Sequence, residues 1–110
     1  MGTVSPLGDF EQLVLLAVLR LAEEAYGVAI SREIEERTGY PVSRGAVYTT
    51  LDRLEEKGYL SSYQGETRPM RGGRARRIYR VEPEGLEALQ TARTAVRRLW
   101  TGLEPVLGDL

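Results

Sequence analysis

The sequence predicts a mainly α-helical fold with one small β-hairpin: a winged helix-turn-helix followed by a C-terminal dimerisation helix. Three observations predict it. Two short helical segments flank a turn between Tyr26 and Glu55. A strand-like run, residues 59–63, follows them directly. Residues 68–80 then hold six arginines and no acidic residue. Helix, turn, helix and then a hairpin with a basic tip is the order of elements in that architecture.

Each element has its own local reason. Residues 1–8 contain Gly2, Pro6 and Gly8 and no periodic pattern, so they read as a flexible arm. Asp9 can cap a helix, and residues 10–21 are nearly all apolar. A helix apolar on most sides is expected to be buried on most sides, by the local core and by a second subunit. Glu23-Glu24 and Tyr26-Gly27 mark a break. The next helix is expected over residues 28–37, with Val28, Ile30 and Ile34 inward and Arg32, Glu33, Glu35 and Glu36 outward. Thr38-Gly39-Tyr40-Pro41 ends it, because glycine suits a helix C-cap and proline cannot continue the helix.

Ser43 is a good N-cap for a third helix over residues 44–57, whose apolar face is Val47, Leu51 and Leu54. Gly58 stops it. Residues 59–63 form a strand by aromatic content and alternation, and residues 78–81 are its partner. The connection between them, residues 64–77, holds Gly65, Pro69, Gly72 and Gly73 and reads as a long flexible wing. Pro83 opens the last helix in its first turn, where a missing N–H costs nothing. That helix is expected to reach about Leu103 and to end at Pro105. Leu89, Ala92, Val96, Leu99 and Leu103 have the spacing of a coiled-coil seam, flanked by Leu86 and Trp100. The organisation is then an arm (1–8), a winged helix-turn-helix (9–82), a dimerisation helix (83–104) and a tail (105–110).

Composition narrows the function classes. The chain has no cysteine and no histidine, so disulfides, thiolate metal sites and the commonest general bases are excluded. The carboxylate pairs Glu23-Glu24, Glu35-Glu36 and Glu55-Glu56 are neighbours in sequence and do not face each other on a helix. No enzyme, cofactor or metal site is therefore expected. No apolar run spans a membrane, and the N-terminus lacks a basic segment before an apolar core, which predicts the cytoplasm.

Net charge is −1, but it is distributed unevenly. Residues 38–82 carry nine basic and five acidic groups; the rest carries six basic and eleven acidic. A one-sided excess of positive charge fits double-stranded DNA as a partner.

The recognition-helix candidate begins Ser43-Arg44-Gly45-Ala46-Val47-Tyr48-Thr49. Small Gly45 and Ala46 let the backbone approach DNA, and the N–H groups of a helix start hold phosphate. Arg44 is placed either to read guanine or to hold a phosphate, and Tyr48 to donate to phosphate. Arg53 belongs to the same helix and is counted with these groups. An ordinary surface helix is the competing reading of this segment. The wing offers Arg68, Arg71, Arg74, Arg76 and Arg77 for phosphate or minor-groove contact, against the alternative of a solvated loop. Arg80 lies in the strand and is a candidate partner for Glu82 or another acidic residue. Trp100, the only tryptophan, serves either in core and seam packing or as one wall of a small-molecule pocket. Tyr26, Tyr40 and Tyr63 read as packing residues.

With these residues in view, the chain resembles the PadR family of bacterial transcriptional regulators. Four segments carry the resemblance: residues 13–19; Tyr26-Gly27-Val28-Ala29-Ile30; residues 43–48 with 51–58; and Gly72-Gly73-Arg74-Ala75-Arg76-Arg77-Ile78-Tyr79-Arg80-Val81 followed by Pro83-Glu84-Gly85. The chain looks like the short subgroup, with a single C-terminal helix. The resemblance implies a homodimer joined by its first and last helices, operator binding and repression, relieved in some members by a small molecule. It implies groove contacts from Ser43, Arg44, Gly45, Tyr48 and Thr49, and wing contacts from Arg74, Arg76 and Arg77. The implied interface includes Phe10, Leu13, Leu89, Val96, Leu99, Trp100 and Leu103. A flat aromatic effector, bound between interface aromatics, is implied for Trp100. The chain departs from the family at Arg44, where proline is frequent, and in residues 66–71, which lengthen the wing. A winged-helix adaptor that binds another protein through its acidic remainder is the alternative.

Overall fold

The computed structural model describes residues 7–67 and 75–109. The elements in order are α1 (Asp9–Leu21), a 3-10 turn (Ala22–Glu24), α2 (Gly27–Thr38), α3 (Arg44–Glu56), β1 (Leu60–Thr67), β2 (Ala75–Val81), α4 (Pro83–Trp100) and a one-turn helix α5 (Glu104–Leu107). The mainly helical winged helix-turn-helix is thus as the sequence predicts. Among the described residues no helix is long and apolar enough to cross a membrane.

The core is built where the first three helices meet the hairpin. Val14, Leu15, Ile30, Val47, Leu51 and Leu54 are all fully buried, so the apolar stripes of α1, α2 and α3 converge as their periodicity requires. Leu60 and Tyr79 close this core from the hairpin side. Burial pushes the Tyr79 phenol up from its ordinary value, so it stays neutral through the physiological range. Gly39 ends α2 in the left-handed region at φ 76°, which favours glycine there.

Several local expectations are corrected. Gly8, not Asp9, is the N-cap of α1, and the Glu11 carboxylate reaches back to accept from the Gly8 N–H at 2.9 Å. A carboxylate at this position satisfies an otherwise orphaned donor and complements the helix dipole. Leu16 and Leu19 remain exposed on α1, so the chain's own core covers only part of that apolar helix. Both strands run further than the sequence suggests, because the ladder continues from Tyr63↔Ile78 to Thr67↔Ala75 across an irregularity after Gln64. That leaves residues 68–74, with Arg68, Arg71 and Arg74, outside the described residues.

The last helix ends at Trp100, because Thr101 turns to extended backbone (ψ 127°) and Gly102, at φ 93°, completes a turn that Leu103 N–H closes on the Trp100 carbonyl at 2.9 Å. Pro105 then sits in the first turn of α5 instead of terminating α4. Leu103 consequently lies beyond the helix and off its seam. Arg80 does not pair with Glu82. Its guanidinium lies over the Tyr63 ring at 5.0 Å, while Glu82 accepts from Ser61 Oγ at 2.5 Å.

Candidate nucleic-acid interface

The site begins with how α3 is started. Ser43 stands in extended backbone and its hydroxyl accepts from the Ala46 N–H at 3.1 Å. The connection before it is held by two contacts to α2: Tyr40 N–H donates to Thr38 Oγ1 at 3.1 Å, and Val42 N–H donates to Glu35 Oε2 at 2.9 Å. With Val47, Thr50, Leu51 and Leu54 pointing inward, the helix has no choice about its outward face. Arg44, Gly45 and Thr49 are exposed on it, with Ser43 at its start. The first-turn N–H groups have no partner within a helix by construction, and they point toward whatever approaches that end.

Tyr48 occupies the flank of α3 that faces α2. Its ring lies over Gly27: a Cβ built on Gly27 would sit 2.4 Å from the phenol carbon and oxygen. The Tyr-Gly before α2 and the Tyr in α3 are therefore one feature, since only glycine leaves room for that ring. Arg53 lies five residues on, about 140° around the helix from Tyr48. It is exposed, and its charge reaches Glu11 near the start of α1. The structure does not bring Arg53 together with Tyr48 and the wing.

The hairpin carries the remaining basic groups. Its root is tied to the body where Tyr79 N–H donates to the Ala25 carbonyl at 2.9 Å. Arg76 lies over the Tyr26 ring, 4.1 Å from its centroid. Arg77 Nε donates to Ser62 Oγ at 2.9 Å, and that hydroxyl donates to Glu55 Oε2 at 2.7 Å. Arg74 lies outside the described residues.

A groove between the start of α2, the flank of α3 and β2 gathers Tyr26, Tyr48, Arg32, Asp52, Arg76 and Arg77. Three guanidinium groups against one carboxylate leave this groove positive. Sequence reasoning placed Arg76, Arg77 and Tyr48 in the site but missed Arg32, Tyr26 and Asp52. Helical phase could have found Asp52, four residues after Tyr48. Nothing local in the sequence marks Tyr26 as a partner of Arg76.

The residues assigned to pairing between copies lie elsewhere. Phe10 and Leu13 on α1 are half-buried, as is Leu89 near the start of α4. Val96 is exposed, and Leu99 is 81% exposed. Trp100 is half-buried and its Nε1–H donates to the Gly108 carbonyl at 2.9 Å, so the segment after α5 already holds the indole edge. No group of ligating side chains suited to a metal ion occurs among the described residues.

Comparison with known proteins places this geometry. Residues 15–91 match the model of the transcriptional regulator PadR-like family. The chain is 43% identical over 76 residues to transcriptional regulator Rv3488 of Mycobacterium tuberculosis, a match that takes in 69% of this chain. That match spans just under two thirds, 66%, of the relative's own length. Among solved structures, it is similar to a PadR family transcriptional regulator from Eggerthella lenta: TM-score 0.65, 29% identity, 90% of this chain and 84% of that one covered. It is also similar to a PadR family transcription regulator from Clostridium difficile: TM-score 0.66, 27% identity, 87% and 98% covered. These are regulators and not enzymes. A family match over most of the chain, carried on a capped and outward-facing α3 beside a positive groove, shows that this chain belongs to the PadR-like family of transcriptional regulators.

Proposed function

We propose that the chain acts in the cytoplasm as a homodimer that recognises a pseudo-palindromic site in double-stranded DNA and represses transcription there. The observation that carries this reading is the outward face of α3. Ser43 starts the helix clear of the core, Arg44, Gly45 and Thr49 are exposed beyond it, and the arginine-bearing groove lies alongside. A helix presented this way fits the major groove, and the positive charge beside it, Arg44 and Arg32 included, fits the phosphates. The apolar residues left exposed on α4, Val96 and Leu99, support pairing with a second copy. In that dimer, Trp100 is the group to which a flat aromatic effector would stack, by its ring face, since its N–H is held by Gly108.

The test is fluorescence anisotropy of the protein with a duplex from upstream of its own gene, against a scrambled duplex, at two salt concentrations. The expected result is preference for the native duplex. Affinity should also fall with log salt at a slope of about −0.9 per phosphate neutralised. A salt slope near zero sinks the reading. Stable binding to another protein without any preference among duplexes would instead favour an adaptor that uses the same exposed α4 face.

A further inference from the structure

The wing arginines that face the positive groove are not free in the unbound protein. Arg76 rests on Tyr26, the residue that starts α2, at 4.1 Å. Arg77 is held through Ser62 to Glu55, in the last turn of α3. The hairpin therefore reaches both helices of the helix-turn-helix, β2 touching the start of α2 through Arg76 and β1 touching the last turn of α3 through Ser62, whose hydroxyl also accepts from Arg77. The two contacts differ in chemistry and end on different helices, so together they oppose rotation of the hairpin about its root. The backbone bond from Tyr79 to Ala25 fixes only the root itself.

Glu55 is the informative member. A carboxylate beside a DNA-facing groove weakens phosphate binding through space, so phosphate binding gives no reason for Glu55 to stand there and accept from Ser62. A geometric role does give a reason. Two surfaces must meet one duplex together, the outward face of α3 and the wing, and the angle between them decides whether they can. An angle fixed beforehand removes the ordering cost at the moment of binding, and it costs affinity on duplexes of the wrong shape.

We propose that Tyr26, through Arg76, and Ser62 with Glu55, through Arg77, are positioning residues that set the wing against α3 and so sharpen discrimination between DNA sites. This inference rests on the DNA-binding reading above. It assigns Arg76 and Arg77 to holding the wing in the free protein, not to neutralising phosphates.

The test uses the full chain in two arms. In the free protein, a nuclear Overhauser contact between the Tyr26 ring and the Arg76 side chain should be present and retained in Tyr26→Phe; its absence in the wild type overturns the positioning role. In the second arm, the ratio of affinities for native and scrambled duplexes is measured at two salt concentrations. Tyr26→Leu and Ser62→Ala should each lower that ratio about two- to five-fold, the size of one exposed cation–π contact or hydrogen bond. Tyr26→Phe should keep the wild-type ratio. Arg76→Gln should lower the ratio with the salt slope unchanged.

An unchanged ratio in Tyr26→Leu and Ser62→Ala, with the wild type still discriminating, overturns the positioning role and leaves the DNA reading intact. A salt slope shallower by about 0.9 in Arg76→Gln also overturns it, because Arg76 would then hold a phosphate directly. A wild-type ratio of one removes the DNA reading itself, and this role with it.

Discussion

Helices α3 and α4 carry apolar stripes of similar spacing and put them to opposite uses. The 13 residues of α3 bury Val47, Thr50, Leu51 and Leu54, and its leucines and valine are wholly enclosed by this chain. The 18 residues of α4 bury only Gly85, and its stripe ends in a leucine that is 81% exposed. Periodicity thus reveals that a face is meant for contact without revealing whose surface it meets. The same contrast sorts function. In α3 the core consumes one face and so fixes which residues are presented outward. In α4 the apolar face is itself what is presented.

The largest effect should come from the enclosed stripe. Leu51→Ala removes a fully buried side chain and should cost about 2–5 kcal/mol in urea-induced unfolding. A loss below about 1 kcal/mol would mean that α3 is not the pillar described here.

Next is the outward face of α3. Arg44→Ala should weaken binding to the native duplex by about 1–3 kcal/mol and relax base preference, with unfolding unaffected. Equal weakening on native and scrambled duplexes would reassign Arg44 to a phosphate.

Smaller again is the contact that ties the C-terminal end of α3 to α1, where Lys57 Nζ donates to Glu11 Oε2 at 2.8 Å. Burial pushes the Glu11 carboxyl up, but the hydrogen bonds from Lys57 and the Gly8 N–H, with the charges of Lys57 and Arg53, outweigh it and hold the carboxyl below its ordinary 4.5. A carboxylate held low adds stability above the unfolded-state value and loses it as pH falls through the folded-state value. Lys57→Met should therefore cost about 1–2 kcal/mol near neutral pH, a figure kept modest because the ammonium is partly solvated. It should also flatten the loss of stability that the wild type shows on acidification below pH 4.5. Parallel pH curves for the two proteins would remove Glu11 from this account.

The smallest effect on the chain itself should come from the presented stripe. Leu99→Ser should change the stability of the dissociated chain by no more than about 0.5 kcal/mol. It should nevertheless abolish the rise of Tm with protein concentration expected of a dimer. A Tm independent of concentration in the wild type would detach the seam from self-association.

Much of this architecture is legible in local sequence chemistry. Ser43 as a cap, Gly39 as a stop and Pro83 as a first-turn residue each follow from chemistry confined to a few neighbours, and each is found where expected. Misreadings arose where local chemistry offered two outcomes. Asp9 and Gly8 could both start α1, and a carboxylate three residues on decided between them. Pro105 could end one helix or begin another, and the turn at Thr101-Gly102 decided that. In the site, the outward face of α3 was legible because it is whatever the apolar stripe leaves. The partners of the wing were not, because Arg76 and Tyr26 are fifty residues apart and no periodic signal links them.

The order of elements, the inward stripe of each core helix, the family and the concentration of positive charge between α3 and the end of the wing are all legible in the unfolded chain. These depend on spacing and composition, which a chain carries in any conformation. That Tyr48 lies over Gly27, that Arg76 rests on Tyr26 and Arg77 on Ser62, which in turn bonds Glu55, and that Trp100 gives its N–H to Gly108 emerge with the packed fold alone. Such pairings join side chains whose distance is set by the packing of whole helices and strands, and that distance does not exist until the core has formed.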